Sequence, residues 1–317
     1  MTNFAILTNF IFCKKQAIKK MQNQIFATLK LIRFPNLLMM AFAQLVVLAS
    51  CFPNINSLGS FLIVLFTMCI AAAGYVENDI FDVEIDNINK PESVIINKRV
   101  TEKKAWLFVT IFQTIALFIA LYFLVFFQNT TILYSYFATS ILLFFYAKWL
   151  KKSFLIGNLI VAFLCAFTIG IFIFCEKIVF YDNISPKNTD FLMNFAFLIT
   201  LFREIVKDIE DKNGDAQFGA WTMPIVAGNF ISKIVAILAL LWLLFQVFVL
   251  SAGVDTHSEN EFSFSKYYAL ICLELPILVL IIQLVRAKFN TQFHAISIVA
   301  KVLMLLGLGY FLIKNIA

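Results

Sequence analysis

The sequence predicts an all-α membrane protein with nine transmembrane helices. Of its 317 residues, 62% are hydrophobic and only 14% are charged, and the mean hydropathy is +0.89. Soluble domains of this size carry about 45–50% apolar and about 25% charged residues. The composition therefore excludes a water-soluble α/β enzyme and a disordered chain.

Nine apolar runs approach the roughly 20 residues that an α-helix needs to cross the hydrocarbon core. In chain order they are 37–53, 59–77, 105–127, 130–147, 154–175, 190–207, 231–252, 267–285 and 295–313. The connections long enough to hold structure of their own are 78–104, 176–189, 208–230 and 253–266. We expect residues 1–30 to form a cytoplasmic N-terminal segment, either a surface helix or a tail, and residues 31–317 to form a single transmembrane domain.

The basic residues predict which side of the membrane each connection occupies. If the N-terminus lies in the cytoplasm, 20 of the 25 Lys and Arg residues fall in cytoplasmic segments or at the adjacent helix ends. Cytoplasmic loops of membrane proteins carry such an excess of Lys and Arg. This distribution accounts for the formal charge of +6 without a nucleic-acid partner. It also places the connections 78–104 and 208–230 on the cytoplasmic side.

Cysteine and histidine usage argues against several other kinds of site. The six cysteines show no CxxC spacing, and the two histidines lie in separate loops. Disulfide frameworks and zinc sites depend on paired cysteines or on clusters of cysteine and histidine. We therefore expect the cysteines to serve as small side chains in apolar surroundings. We expect no histidine-based metal or catalytic site.

Two acidic triplets hold six of the nine aspartates and share one spacing. The first is Asp79, Asp82 and Asp86, and the second is Asp208, Asp211 and Asp215. On a helix, positions i, i+3 and i+7 fall within about 60° of one another, so each triplet presents three carboxylates in one direction. Glu204 falls on the same face as Asp208, whereas Gly214 is expected to weaken the helix before Asp215. Each triplet begins where a predicted span ends on the cytoplasmic side.

This pattern favours a site for a hard cation over a pair of solvated helix ends. Three clustered carboxylates repel one another unless a cation is present. Mg²⁺ prefers one or two carboxylates per ion together with waters and phosphate oxygens. Two facing triplets would therefore suit Mg²⁺ with a diphosphate, and nearby basic residues would neutralise the remaining phosphate charge. Those basic residues are Lys90, Lys148, Lys151, Arg203 and Lys207.

The first triplet, written Asn78-Asp-x-x-Asp82-x-x-x-Asp86, resembles the first signature of the UbiA superfamily of intramembrane prenyltransferases. The second triplet resembles that family's second aspartate-rich motif. Shorter matches are Arg33-Phe-Pro-Asn36, Asn89-Lys90-Pro91, Tyr146, Leu150-Lys151-Lys152, Gly157-Asn158 and Thr222-Met-Pro224. The resemblance covers about residues 30–315.

Residues 203–211 are similar to one branch of this superfamily, the geranylgeranylglycerol-phosphate geranylgeranyltransferases and their bacterial relatives. One stretch departs from the family pattern. Many members follow Lys-Pro with an Arg-Pro pair, whereas this chain has Glu92-Ser93-Val94. Lys98 or Arg99 is a candidate replacement for the missing basic contact.

The resemblance implies a nine-helix bundle with an active-site cap on the cytoplasmic side of the cell's inner membrane. It implies Mg²⁺-dependent transfer of a geranylgeranyl-type group from an allylic diphosphate to a lipophilic acceptor, a phosphoglycerol lipid in the first instance. All six triplet aspartates are the implied metal ligands, and the catalytic ones are Asp79, Asp82, Asp208 and Asp211. The implied substrate contacts are Arg33, Asn36, Asn78, Lys90, Tyr146, Lys148, Lys151, Asn158, Arg203 and Lys207. No obligate protein partner is indicated.

Two alternatives remain open at this stage. The acceptor could be aromatic, such as a quinone precursor or a haem or chlorophyll-type tetrapyrrole. A cation transporter is the other, although transport paths place ionisable groups near the middle of the membrane and the six aspartates lie at one side. Glu274 and Lys301 fall inside predicted spans and are functional candidates on that ground; whether they pair is open.

Overall fold

The computed structural model describes residues 22–51, 57–89, 91–174, 186–252 and 264–316. Throughout these ranges the regular structure is helical, apart from one isolated bridge between Ile96 and Val100. This confirms the predicted all-α class. The helices are α1 Gln22–Leu31, α2 Phe34–Cys51, α3 Ser57–Phe81, α4 Val83–Asn89, α5 Glu102–Phe127, α6 Thr131–Lys148, α7 Ile156–Phe174, α8 Pro186–Gln217, α9 Met223–Val226, α10 Gly228–Ala252, α11 Phe264–Arg286 and α12 Asn290–Ile316.

Seven of the described helices are long and apolar enough to cross a membrane. They are α3, α5, α6, α7, α10, α11 and α12. The pair α1 and α2, bent by 56° at its break, makes an eighth when it is counted as one span. Helix α8 contains the remaining predicted run, 190–207, but that run includes Asp190, Arg203, Glu204 and Lys207. A count of nine therefore depends on whether this charged helix also crosses.

Helix α8 occupies the centre of the bundle. It packs against α7, α10 and α12, and Phe202, Ile205 and Val206 on it are buried in the main apolar core. The contact with α12 is close, because a Cβ added at Gly307 would lie 2.4 Å from the ring of Phe195. Small residues allow such close approach of helices in membranes. The charged end of α8 is therefore held by packing on three sides.

The expectation that Gly214 weakens α8 before Asp215 is wrong. The helix continues to Gln217. The turn that closes it contains Gly219, which has a φ of +67°. The N–H of Gly219 bonds the carbonyl of Ala216, and the N–H of Ala220 bonds that of Asp215. This is the Schellman arrangement, in which a left-handed glycine closes the helix, so Asp215 remains in the helical register of its triplet.

The first triplet also keeps a helical register although it crosses from α3 to α4. The N–H of Asp82 bonds the carbonyl of Asn78 at 3.0 Å, and the N–H of Asp86 bonds the carbonyl of Asp82 at 2.8 Å. These are the i to i−4 bonds of an α-helix. Helix α4 packs on α8, so the two segments that carry the triplets lie against each other.

The two charged residues predicted inside spans contact different groups. Glu274 accepts a hydrogen bond of 3.1 Å from the hydroxyl of Ser251, whereas the amine of Lys301 lies 3.5 Å from Oδ1 of Asn36. A π-helical stretch, Ala269–Glu274, precedes Pro276. Proline lacks an N–H and crowds the preceding turn, and π-bulges are one way in which a helix adapts to such a disturbance.

Candidate active site

Asp82 of the first triplet contacts both Lys151 and Asn78. Its Oδ1 lies 2.5 Å from Nζ of Lys151, and its Oδ2 accepts a hydrogen bond of 2.8 Å from Nδ2 of Asn78. The side chains of Lys151 and Asp82 are only 11% and 15% exposed. Burial lowers the pKa of Lys151, while the field of Asp82 opposes that shift. The pair is therefore a shielded, charge-assisted contact of the stronger kind.

A tight 3₁₀ turn positions Lys151 between α6 and α7. The turn spans Leu150–Lys152, and the carbonyl of Lys152 accepts a hydrogen bond of 2.7 Å from the N–H of Trp221. The backbone of the turn lies directly on Gly157, where an added Cβ would be 2.8 Å from Cα of Lys151 and 2.9 Å from the carbonyl oxygen of Leu150. A side chain at position 157 would thus displace the turn that carries Lys151.

Asp79 is paired with Arg33, from the break between α1 and α2. The guanidinium Nη2 lies 2.8 Å from Oδ1 of Asp79, and the guanidinium carbon lies 5.0 Å from the centre of the Tyr75 ring. Arg33 has a φ of +50°, a region that side-chain-bearing residues adopt infrequently. The bend between α1 and α2 therefore coincides with the residue that reaches the first triplet.

Asp208 of the second triplet is half-buried and hydrogen-bonded. Its Oδ2 accepts a hydrogen bond of 2.8 Å from Nδ2 of Asn158, near the start of α7. Burial raises the pKa of Asp208 to about 7, although the hydrogen bond from Asn158 works in the opposite direction. A carboxyl group in this environment gains strongly from a cation placed beside it.

Glu204, one turn before Asp208, holds two cations on α8. Nη1 of Arg203 lies 2.7 Å from its Oε1, and Nζ of Lys207 lies 2.9 Å from its Oε2. Glu204 is buried. Its position four residues before Asp208 was visible in the sequence, but its role as the shared partner of Arg203 and Lys207 was not predicted.

A cavity of about 460 Å³ opens between α4, the end of α8 and the start of α12. It is lined by Ile88, Glu210, Asp211, Asn213, Gly214, Gln217, Asn290, Thr291 and His294. His294 Nδ1 lies 3.1 Å from Oε1 of Glu210, and Asn290 donates a hydrogen bond of 3.1 Å to the carbonyl of Glu210. Asp211 therefore lines this cavity. Asp86 on α4 and Asp215 on α8 are half-buried.

Three predicted substrate contacts remain to be placed: Tyr146, Lys148 and Lys90. Tyr146 on α6 is half-buried, within electrostatic range of Glu204, Asp208 and Asp82. Lys148 is exposed, and its amine lies 4.3 Å from the centre of the Trp149 ring. Lys90 lies outside the described residues.

In their present placement, no three Asp, Glu, His or Cys side chains of the described residues are close enough together to hold a metal ion. The carboxylates instead meet cations and amides, as in the pairs Arg33–Asp79, Lys151–Asp82 and Asn158–Asp208. The donors are all oxygen atoms of carboxylates and amides, which is the ligand set that Mg²⁺ prefers. The donor chemistry fits this ion once the basic side chains change partners.

A helical membrane bundle that carries aspartate triplets on two segments packed together, with Arg33 and Lys151 paired to the first triplet, is the arrangement of an intramembrane enzyme. The chain belongs to the UbiA prenyltransferase family, whose model matches residues 37–292. That range includes all six triplet aspartates and excludes Arg33, Asn36 and Lys301.

Comparisons with known proteins give relatives that are similar in sequence or in fold. The digeranylgeranylglyceryl phosphate synthase of Methanosarcina mazei is 35% identical over 214 residues, which is 63% of this chain and 70% of that protein. A solved structure described as "Structural and mechanistic insights into the biosynthesis of Digeranylgeranylglyceryl phosphate synthase in membranes" matches with a TM-score of 0.64 and 26% identity, over 91% of this chain and 97% of that one. A UbiA homolog from Archaeoglobus fulgidus, bound to GPP and Mg²⁺, shares the fold with a TM-score of 0.57 and 12% identity, over 90% and 99% of the two chains.

Proposed function

We propose that this prenyltransferase moves a geranylgeranyl-type group from an allylic diphosphate to the hydroxyl of a glyceryl phosphate lipid. The observation that carries the proposal is the packing of α4 on α8, which brings together the two segments that carry the aspartate triplets, with basic side chains paired to Asp79 and Asp82. The naming of the Methanosarcina mazei relative supports the choice of acceptor. The same site would serve an aromatic acceptor, and the experiment below separates the two.

The six triplet aspartates would hold Mg²⁺: Asp79, Asp82 and Asp86 on one side, with Asn78 assisting, and Asp208, Asp211 and Asp215 on the other. When bound, Mg²⁺ supplies Lewis-acid stabilisation for the charge of the departing diphosphate. The Archaeoglobus fulgidus homolog bound to GPP and Mg²⁺ supports the choice of ion.

Basic side chains would then bind the diphosphate. Lys151 and Arg33 now neutralise Asp82 and Asp79, and each would turn its donors to phosphate oxygens when the substrate enters. Arginine and lysine both recognise phosphate, arginine through a bidentate fork and lysine as a point charge. These two residues would therefore orient the leaving group at the triplets.

The reaction breaks the bond between the allylic carbon and the diphosphate oxygen, and the electron pair leaves with the diphosphate. The allylic cation that remains is stabilised by aromatic faces in a dry site. Tyr146 and Tyr75 lie at the triplets and would supply such faces. The acceptor hydroxyl then forms the new carbon–oxygen bond and releases its proton.

The membrane orientation is part of the proposal. The excess of Lys and Arg supports an N-terminus and an active end on the cytoplasmic side of the cell's inner membrane. With α8 as a crossing helix, the bundle has nine spans and residues 31–317 form one transmembrane domain, with the α4 region as its cytoplasmic cap. The substrates are then drawn from the membrane, without an obligate protein partner.

The test uses membranes that contain the protein, radiolabelled geranylgeranyl diphosphate, and either geranylgeranylglyceryl phosphate or a set of aromatic quinone precursors. Asp82→Asn and Asp208→Asn are compared with Glu84→Gln, a matched control at an exposed carboxylate on α4. The proposal is supported if label appears in the ether lipid only when Mg²⁺ is present. That label should be lost in both aspartate variants and kept in the control. Label in an aromatic product instead would replace the acceptor, and no transfer to either kind of acceptor would refute the proposal.

A further inference from the structure

Lys301 of α12 is half-buried in the bundle and forms no ion pair with a carboxylate of the described residues. In the described part of the chain, the side-chain contact of its amine is the long one to Asn36 of α2, at 3.5 Å. A charged group within a membrane protein usually faces the interior and marks a functional site when it has no paired charge. Lys301 also lies outside the matched family range of residues 37–292, so family membership assigns it no role.

Three contacts fix the depth of Lys301 relative to α8. His294 contacts Glu210, Gly307 faces Phe195, and the rings of Phe311 and Phe191 are 5.6 Å apart. The residue numbers rise along α12 as they fall along α8, so the two helices are antiparallel. Lys301 is seven residues beyond His294, and Arg203 is seven residues before Glu210, which is a helical rise of about 10.5 Å in each case. Lys301 and Arg203 therefore lie at one level, deeper than the second triplet.

The charges at this level do not balance. Arg203 and Lys207 share the single carboxylate of Glu204, and the positive charges of Arg203, Lys207 and Arg33 all act on Lys301. Arg33 is matched by Asp79, and the carboxyl group of Asp208 also acts on Lys207. The cluster formed by Arg203, Lys207, Lys301, Glu204 and Asp208 therefore has three basic and two acidic side chains, an excess of one positive charge. A phosphate monoester carries about −1.5 to −2 at neutral pH.

A second observation points to a missing ligand at the same place. Nε of Arg203 is buried and has no hydrogen-bond partner among the described residues. A buried donor without a partner costs free energy, and such groups in native proteins usually serve a ligand, water or ion. The unpaired donor of Arg203 and the amine of Lys301, whose contact is the long one to Asn36, belong to one level of the bundle.

We propose that Lys301 and Arg203 form the subsite that binds the phosphate of the acceptor lipid, apart from the triplets that bind the diphosphate. Asn36 is a positioning residue that holds the amine of Lys301 until the acceptor enters. The subsite rests on the proposed function, because it assumes a phosphorylated acceptor. Its depth suits that role: the acceptor reacts at the allylic carbon, which extends from the diphosphate toward the membrane interior.

The test measures both binding and turnover. Purified protein in nanodiscs, with EDTA present, is titrated with radiolabelled geranylgeranylglyceryl phosphate and with unphosphorylated geranylgeranylglycerol. Loss of a charged hydrogen bond corresponds to about a tenfold or larger change in affinity. Lys301→Gln should weaken binding of the phosphorylated lipid by that factor and leave the unphosphorylated lipid unchanged. Lys301→Arg, which keeps the charge, should bind nearly as well as the unmodified protein.

Steady-state rates separate this subsite from the diphosphate site. In Lys301→Gln, the KM for the acceptor should rise about tenfold or more while the KM for geranylgeranyl diphosphate stays within about twofold. Lys288→Gln, at an exposed lysine between α11 and α12, is the matched control for loss of one positive charge. Arg203→Lys, which removes Nε but keeps the charge, should also raise the acceptor KM and guards against a folding defect in one variant.

The outcomes are distinguishable from failure of the proposed function. If the unmodified protein transfers the prenyl group to the phosphorylated lipid, but Lys301→Gln raises only the KM for the diphosphate, the cluster belongs to the diphosphate site and the inference is wrong. Unchanged binding and KM values in both variants would also overturn it. Absence of any transfer by the unmodified protein would instead refute the proposed function.

Discussion

A single methyl group at position 157 should disable the enzyme by moving Lys151. In Gly157→Ala, the new Cβ would lie 2.8 Å from Cα of Lys151, against an ordinary contact of at least 3.4 Å. The opposing atoms are backbone, so the 3₁₀ turn must move by about 0.6 Å, the difference between these two distances. A displacement near 1 Å in a site can cost about a hundredfold in rate. We expect transfer to fall roughly tenfold to a hundredfold.

The assay measures transfer of the geranylgeranyl group from radiolabelled geranylgeranyl diphosphate in membranes, normalised to the amount of folded protein. Gly74→Ala is the matched control, because its added Cβ would lie 3.0 Å from a terminal carbon of Leu143. A flexible side-chain end can move without disturbing the site, so this variant should retain activity within a few fold. If Gly157→Ala kept the rate of the unmodified protein, the argument that the turn positions Lys151 would be refuted.

Three further predictions follow from contacts of α8 and from the proposed metal. Glu204→Gln leaves the charges of Arg203 and Lys207 without their buried counter-ion and should lower the free energy of unfolding by about 3 kcal/mol. The loss is measured as a lower Tm in detergent, and an unchanged Tm would contradict this prediction. Gly307→Ala places a Cβ 2.4 Å from the ring of Phe195 and should cost about 1–3 kcal/mol with both KM values unchanged, whereas altered KM values would place this contact in the site. Chelation of divalent cations with EDTA should abolish transfer and added Mg²⁺ should restore it; persistent transfer would exclude a metal requirement.

Hydrophobic runs and acid spacing were sufficient to predict the class and the main motifs. Long apolar runs have few alternatives to membrane helices, because the bilayer leaves no other partner for the backbone. The equal spacing of the two triplets predicted one helix face for each, and the backbone bonds around Asp82 and the continuation of α8 past Gly214 agree with that register.

Other features depended on contacts that a sequence does not contain. Gly214 was expected to interrupt α8, but a glycine inside a helix costs only about 1 kcal/mol, and packing against α4 and α12 outweighs that cost. Lys148 and Lys151 are near neighbours with similar surroundings in sequence, yet the 3₁₀ turn sends Lys151 to Asp82 and leaves Lys148 on Trp149. Lys301 was recognisable as a charge in an apolar run, but its partner Asn36 is 265 residues away along the chain.

The central claim is that the two triplets act as one site, and a double-mutant cycle on the rate of transfer tests it most directly. Asp82→Asn, Asp208→Asn and the double variant are compared under saturating Mg²⁺. Residues that act as a unit give strongly non-additive losses. We therefore expect each single variant to lose nearly all activity. The rate of the double variant should be no lower than the rate of the less active single variant. Losses that multiply, or a single variant with the rate of the unmodified protein, would contradict a shared site.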